Sequence, residues 1–132
     1  MASRHSVRTG RRCELVDITS AAAEAVAASG CRQGLCTVYC PHTTAAVAVN
    51  EGADPAVAAD ILELLEKLVP AGGRYRHAEG NSDAHIKAAL VGPGVTVPIE
   101  GGKLALGTWQ RIFFCEFDGP RSRSVIISVT PT

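Results

Sequence analysis

The sequence predicts a single α+β domain, its helices packed on a largely antiparallel sheet. Three observations carry this. Segments rich in β-branched and aromatic residues stand at both ends of the chain, helical patterns lie between them, and short Gly/Pro turns join the C-terminal strands. The 132 residues suit one domain, 46% hydrophobic residues can fill its core, and no linker, repeat or low-complexity tract divides residues 1–132.

Ser6 to Asp17 holds Val7, Cys13, Leu15 and Val16 around the break Gly10-Arg11-Arg12, which fits two short strands or one bent strand. Ile18 to Gly30 reads as a helix: Thr19 or Ser20 can cap it, Ala21 to Ala28 is alanine-rich, and Gly30 suits a left-handed stop. Gly34 to Cys40 is a strand by composition, Pro41 interrupts it, and Thr44 to Asn50 is a further strand. The clearest helix runs from the capping Asp54, with Pro55 in its first turn, to about Leu68. Its stripe of Val57, Ile61, Leu64, Leu65 and Leu68 lies on one face, and Pro70-Ala71-Gly72-Gly73 ends it.

Arg74 to Ser82 lacks periodicity and reads as a loop. Asp83 can cap a short helix, Ala84 to Val91, stopped by Gly92-Pro93-Gly94. Strands follow at Val95–Ile99, Lys103–Leu106, Thr108–Phe117 and Ser124–Thr130, with turns at Glu100-Gly101-Gly102 and Asp118-Gly119-Pro120. On Thr108–Phe117, alternation puts Gln110, Ile112, Phe114 and Glu116 on one face and Trp109, Arg111, Phe113 and Cys115 on the other. Trp109 is expected in the core.

Charge narrows the function classes. Thirteen basic and thirteen acidic residues balance, which removes the broad electrostatic case for nucleic acid or an anionic membrane as partner. A neutral chain also tends to self-associate. No apolar run approaches the ~20 residues of a membrane span, and Met1 to Arg12 lacks the apolar stretch of a secretory signal. Cys13, Cys31, Cys36, Cys40 and Cys115 make an odd count, which argues for free thiols in a reducing cytoplasm.

Three of the four histidines fall in polar clusters. His42 follows Pro41 at a strand end: it reads as a base, a ligand or an anion donor, or as a turn histidine satisfied by backbone. Glu51 reads as a ligand or acid, or as a charge favoured by the N-terminus of the Asp54 helix. His77 and His85 flank Asn81, Ser82 and Asp83 at a spacing that matches neither HExxH nor a structural zinc site. Loop-borne His, Asn and Asp side chains can nevertheless converge on one ion or phosphate. Asp83 has the alternative role of helix cap. Glu116, Arg121 and Arg123 read as a structural ion pair or as a phosphate clamp, since a guanidinium offers a bidentate fork. No P-loop, catalytic Ser-His-Asp triad or nucleophile elbow is present.

Four segments also carry a resemblance. They are Pro41-His42-Thr43-Thr44-Ala45-Ala46 with Asn50-Glu51; Tyr75-Arg76-His77 with Asn81 and Ala84-His85; Gly102 to Gln110, containing Leu106-Gly107-Thr108-Trp109-Gln110; and Glu116-Phe117-Asp118-Gly119-Pro120-Arg121-Ser122-Arg123. Together, in order and over nearly the whole chain, they resemble the YjbQ-like family, also called the secondary thiamine-phosphate synthase family. The resemblance implies a β-sandwich-like core with two to three helices, a homotrimer, and a histidine-lined cleft for a divalent metal such as zinc or magnesium, or for anions. It implies a weak transferase activity joining a hydroxymethylpyrimidine diphosphate to a thiazole phosphate. Carried onto this chain, it makes His42, His85, Asp83 and Arg121 catalytic, Asn81, Gln110, Glu116 and Arg123 supporting binding residues, and His42, His77 and His85 the metal set. The alternative is a non-enzymatic protein that holds a metal or a phosphorylated metabolite at the same histidines.

Overall fold

The computed structural model describes residues 1–132. Eleven elements follow one another: β1 Ala2–Arg8, β2 Glu14–Asp17, α1 Thr19–Ser29, β3 Gln33–Tyr39, β4 Ala45–Glu51, α2 Pro55–Leu68, α3 Ser82–Val91, β5 Gly94–Glu100, β6 Lys103–Leu104, β7 Gln110–Glu116 and β8 Ser122–Pro131. The strands form a five-stranded sheet, β1-β8-β3-β5-β6, and a three-stranded sheet, β2-β7-β4, with every pairing antiparallel. The α+β expectation holds, with two sheets and three helices. No helix is long and apolar enough to cross a membrane.

The main core lies between the sheets. Val38, Val97, Val125 and Ile127 meet Val47, Ile112 and Phe114 there, and α1 adds Ala22 and Val26. The outer face of the smaller sheet carries Ala46, Phe113, Cys115 and Phe117 against Ala84 and Ala88 of α3, with Leu62 and Leu65 of α2 at its margin. β7 is therefore covered on both faces, as its alternation predicts, and each face has its own partner layer.

Several local expectations change. Neither Thr19 nor Ser20 caps α1. The Thr19 hydroxyl instead accepts the Ile112 N–H at 2.9 Å, tying α1 to β7, while Asp17 accepts the Thr19 N–H. Asp83 is not a cap either, for α3 begins at Ser82 and Asn81 precedes it. The predicted strand from Thr108 starts only at Gln110, because Gln110 closes a turn on Gly107, accepting its N–H through Oε1 and donating to its carbonyl. Trp109 thus sits in the turn and is 64% exposed, not in the core. β6 stops at Leu104 rather than Leu106. β1 starts at Ala2, as an edge strand whose polar sequence buries only Val7.

Other local signals hold. Gly30 ends α1 at φ 69°. Asp54 caps α2 by accepting the Ala56 N–H, and Glu51 accepts the Asp54 N–H, its helix-end reading. The α2 stripe is only half covered: Leu64 and Leu68 are 57% and 65% exposed, and no residue of the helix is buried.

Candidate functional site

The connection β3–β4, the loop before α3 and the β7–β8 turn meet at one end of the sheets. Pro41 ends β3 and delivers His42, Thr43 and Thr44. Opposite them, the antiparallel register of β4 on β7 places Ala45 beside Glu116, so the β7–β8 turn comes to the same end. The first turn of α3 supplies Asn81, Ser82 and His85 from the other side.

Three adjoining cavities share His85. A polar well of ≈ 380 Å³, without one hydrophobic lining residue, has His42, Thr44, Asn81, Asp118, Arg121 and Arg123 in its wall, with Glu79 at its edge. A cleft of ≈ 520 Å³ lies between Arg74, Tyr75, Arg76 and His77 on the loop and Ser82 and His85 on α3. A third cavity, ≈ 310 Å³, holds His42, Thr43, Ala45, His85 and Ala88. The histidine clusters of the sequence thus form one site, with His85 common to all three cavities and His42 to two. The His77 and His85 rings meet edge to face, their centroids 5.4 Å apart, and Glu79 lies 3.8 Å from His77 Nε2.

His42 is held rather than free. Its Nε2 accepts the Ser124 N–H at 3.0 Å and its ring stands edge-on to Phe114. Burial, and next the Arg123 charge, push its pKa below the ordinary histidine range. The ring is consequently neutral at pH 7, with its proton on Nδ1 because Nε2 is accepting.

Beneath it lies a buried ion pair. Glu116, fully buried, accepts from Arg123 Nε at 2.9 Å, from Arg123 Nη2, from the Thr9 hydroxyl at 2.8 Å, and from the Phe117 and Asp118 N–H groups. Burial alone would raise its pKa; the Arg123, Asp118 and Thr9 hydrogen bonds outweigh that and hold it below the usual carboxylate range. Arg123 also donates to the Thr44 hydroxyl at 2.9 Å, fixing the loop that carries His42. Gly119 in the adjoining turn has no room for a side chain: a Cβ there would stand 2.3 Å from the Arg11 carbonyl oxygen. Arg121 donates through Nη2 to Asp118 Oδ2 at 3.0 Å, and that carboxylate also accepts from Asn81 Nδ2 at 2.8 Å. This fixes the amide's orientation and leaves Asn81 Oδ1 buried without a donor.

Over nearly its whole length the chain is similar to known proteins. The profile of the family described as UPF0047 protein YjbQ-like matches residues 3–132. The chain belongs to that family. A UPF0047 protein of Methanocaldococcus jannaschii is 47% identical over 129 residues, 98% of this chain and 94% of the relative. The UPF0047 protein YugU of Bacillus subtilis is 44% identical over 93% of this chain and 94% of its own length. A crystal structure of an uncharacterized YjbQ/UPF0047 protein from Clostridium acetobutylicum superposes with a TM-score of 0.96 at 49% identity, covering 97% of this chain and 99% of that one.

Within this family member, not every sequence-derived site residue reaches the cavities. Asp83 is fully buried between Lys87 Nζ, 3.0 Å from Oδ2, and Arg12 Nη2, 3.1 Å from Oδ1, and stands in none of the three walls. Burial would raise its pKa, but the bonds from Lys87 and Arg12 lower it, so it stays ionised and structural. Gln110 is at the opposite end of β7 from Glu116, paired with Glu51, and spends its carbonyl on Gly107. Glu116 lies behind Arg123, out of reach of a ligand. The expected metal set does not assemble in this chain either. No group of three or more His, Cys, Asp or Glu side chains is arranged to hold an ion, and His42 has committed Nε2 to Ser124.

The sequence assigns no role to Arg74 or Arg76, within an aperiodic loop, or to Lys87, in the short helix before Gly92. Two arginines flanking a tyrosine just before His77, and a lysine four residues after Asp83, were the available signals. All five thiols are free, and burial raises Cys36 and Cys40 and pushes Cys115 up to about 12, which disfavours their thiolates.

Proposed function

We propose that the chain handles a phosphorylated small molecule at the His42–His77–His85 site, as a thiamine-phosphate synthase-like transferase joining a hydroxymethylpyrimidine diphosphate to a thiazole phosphate. The observation that carries the reading is the position of His85, on the boundary of three contiguous cavities large enough together for two small ligands. In such a transfer the diphosphate–carbon bond breaks, a new bond to the thiazole nitrogen forms, and negative charge accumulates on the departing pyrophosphate. Cationic and N–H donors beside His85 stabilise that charge, and His85 is placed to deliver a proton to it. Neutral His42 offers Nδ1–H as a fixed donor. No step is routed through a metal, because the three histidines do not form one ligand set.

The resemblance further supports a homotrimer, and the half-covered apolar stripe of α2 and the exposed Trp109 are surfaces that assembly would cover. The free thiols accord with a cytoplasmic location. Purified protein is expected to form thiamine phosphate from the two phosphorylated halves, and His85→Ala to abolish this with an unchanged melting curve. Turnover no greater than that of a heat-killed control overturns the transferase. A rise in melting temperature with the same metabolites, without turnover, supports the alternative of a binding protein. Light scattering at three times the 13.8 kDa chain mass checks the trimer.

A further inference from the structure

We infer that the anionic group of the ligand seats in the Arg74–Arg76 cleft beside His77 and His85, not in the well lined by Arg121 and Arg123. The inference rests on the reading of the site as one for phosphorylated small molecules, and it assigns the end of the site that takes the phosphate.

The decisive difference is how far each set of guanidinium groups is already neutralised. In the polar well both arginines are already paired with a carboxylate. Arg123 is 3% exposed and bound to Glu116 and Thr44, and Arg121 donates to the side chain and carbonyl of Asp118. Glu79 also lines that well, so two guanidinium groups face three carboxylates, counting Glu116 behind Arg123. An incoming phosphate would meet net negative charge, with only the unengaged N–H groups of Arg121 to receive it. The well therefore suits an uncharged or cationic end of a ligand, a hydroxyl or an amine, better than a phosphate.

The cleft is the reverse. Arg74 and Arg76 have no carboxylate within ion-pair distance. On a chain whose charges balance overall, this concentrates free positive charge in one concavity. No acidic residue lines the cleft, and Glu79 stands 3.8 Å from His77 without pairing with either arginine. Ser82, the first residue of the ten-residue α3, forms part of the wall and adds the positive end of that helix. Tyr75 and Ile86 give the cleft its apolar wall. A phosphate held by two guanidinium forks would lie beside His85, with the rest of the molecule directed across His85 into the well.

Inorganic pyrophosphate is the probe, titrated calorimetrically into the full chain at low salt. The Arg74→Gln/Arg76→Gln double variant is expected to weaken binding at least tenfold, and Arg121→Gln to change it less than twofold. Arg74→Lys/Arg76→Lys should recover part of the loss. These arginines lie on an exposed loop, so melting curves should match the wild type and separate lost binding from lost fold. Binding retained in the double variant, or lost in Arg121→Gln instead, overturns the assignment while leaving the phosphometabolite reading intact. No pyrophosphate binding by the wild type overturns it outright. Arg74- and Arg76-dependent binding without thiamine phosphate formation supports the assignment and overturns only the transferase.

Discussion

Replacing Glu116 with Gln tests whether the site rests on a buried charge pair. The substitution keeps shape and size while removing the charge. In the wild type the carboxylate accepts five hydrogen bonds, two of them from Arg123, whose side chain is 3% exposed. Glutamine leaves the guanidinium buried and unbalanced, and turns one acceptor into an N–H₂ facing donors. Removing one partner of such a pair costs about 3–5 kcal/mol. For a chain of this size that is roughly 10–20 °C in melting temperature. Circular dichroism melts at pH 7 measure it, and the cycle with Arg123→Met isolates the cause. The double variant should be less destabilised than the sum of the singles, because no orphaned charge remains. The pH dependence has a fixed sign. The folded pKa of Glu116 is lowered, so its stabilisation is complete above the unfolded value of about 4.3 and fades as pH falls through the folded one. Glu116→Gln should flatten that acid limb. A loss below ~1 kcal/mol, or strict additivity with Arg123→Met, refutes the reasoning.

Lys87→Met should cost about 3 kcal/mol by urea denaturation, since it leaves Asp83 buried with Arg12 alone and frees Glu66 of α2. Arg12→Ala should cost less, its side chain being 39% exposed. Phe114→Ala opens a cavity in the fully buried core beside His42 and should cost about 3–5 kcal/mol. The His42 ring should titrate below the ordinary histidine range by NMR, so its share of stability is present above the unfolded value near 6.5 and is lost as pH falls; titration above that value contradicts the assignment.

The elements that could be read from sequence were those whose signals are local. The Asp54–Pro55 start of α2, the Gly30 stop and the alternation of β7 are set by a few neighbouring residues, and all hold in the structure. What misled were residues whose partners are distant in sequence. Thr19 looks like a cap until β7 supplies the Ile112 N–H. Asp83 looks catalytic or capping until Arg12, 71 residues away, reaches it. Trp109 follows the period of its strand on paper, but a side-chain turn at Gln110 starts the strand later. The site followed the same rule. Clustered histidines marked the place, whereas the separation of neutralised from free arginines depended on which carboxylates folding brought near each.

The exposure of α2 has a consequence for how the molecule opens. None of its residues is buried, and besides the margin contacts of Leu62 and Leu65 it is tethered by Lys87, which donates to its half-exposed Glu66. Such a helix belongs to the least protected cooperative units of a fold, whereas β7, enclosed on both faces, belongs to the most protected. The loop of Arg74 to His77 hangs directly from the end of α2 through Pro70, whose carbonyl accepts the Tyr75 hydroxyl. Amide exchange in α2 and this loop should therefore run on one clock, faster than that of the sheets. Whatever detaches the helix would also take down one wall of the cleft.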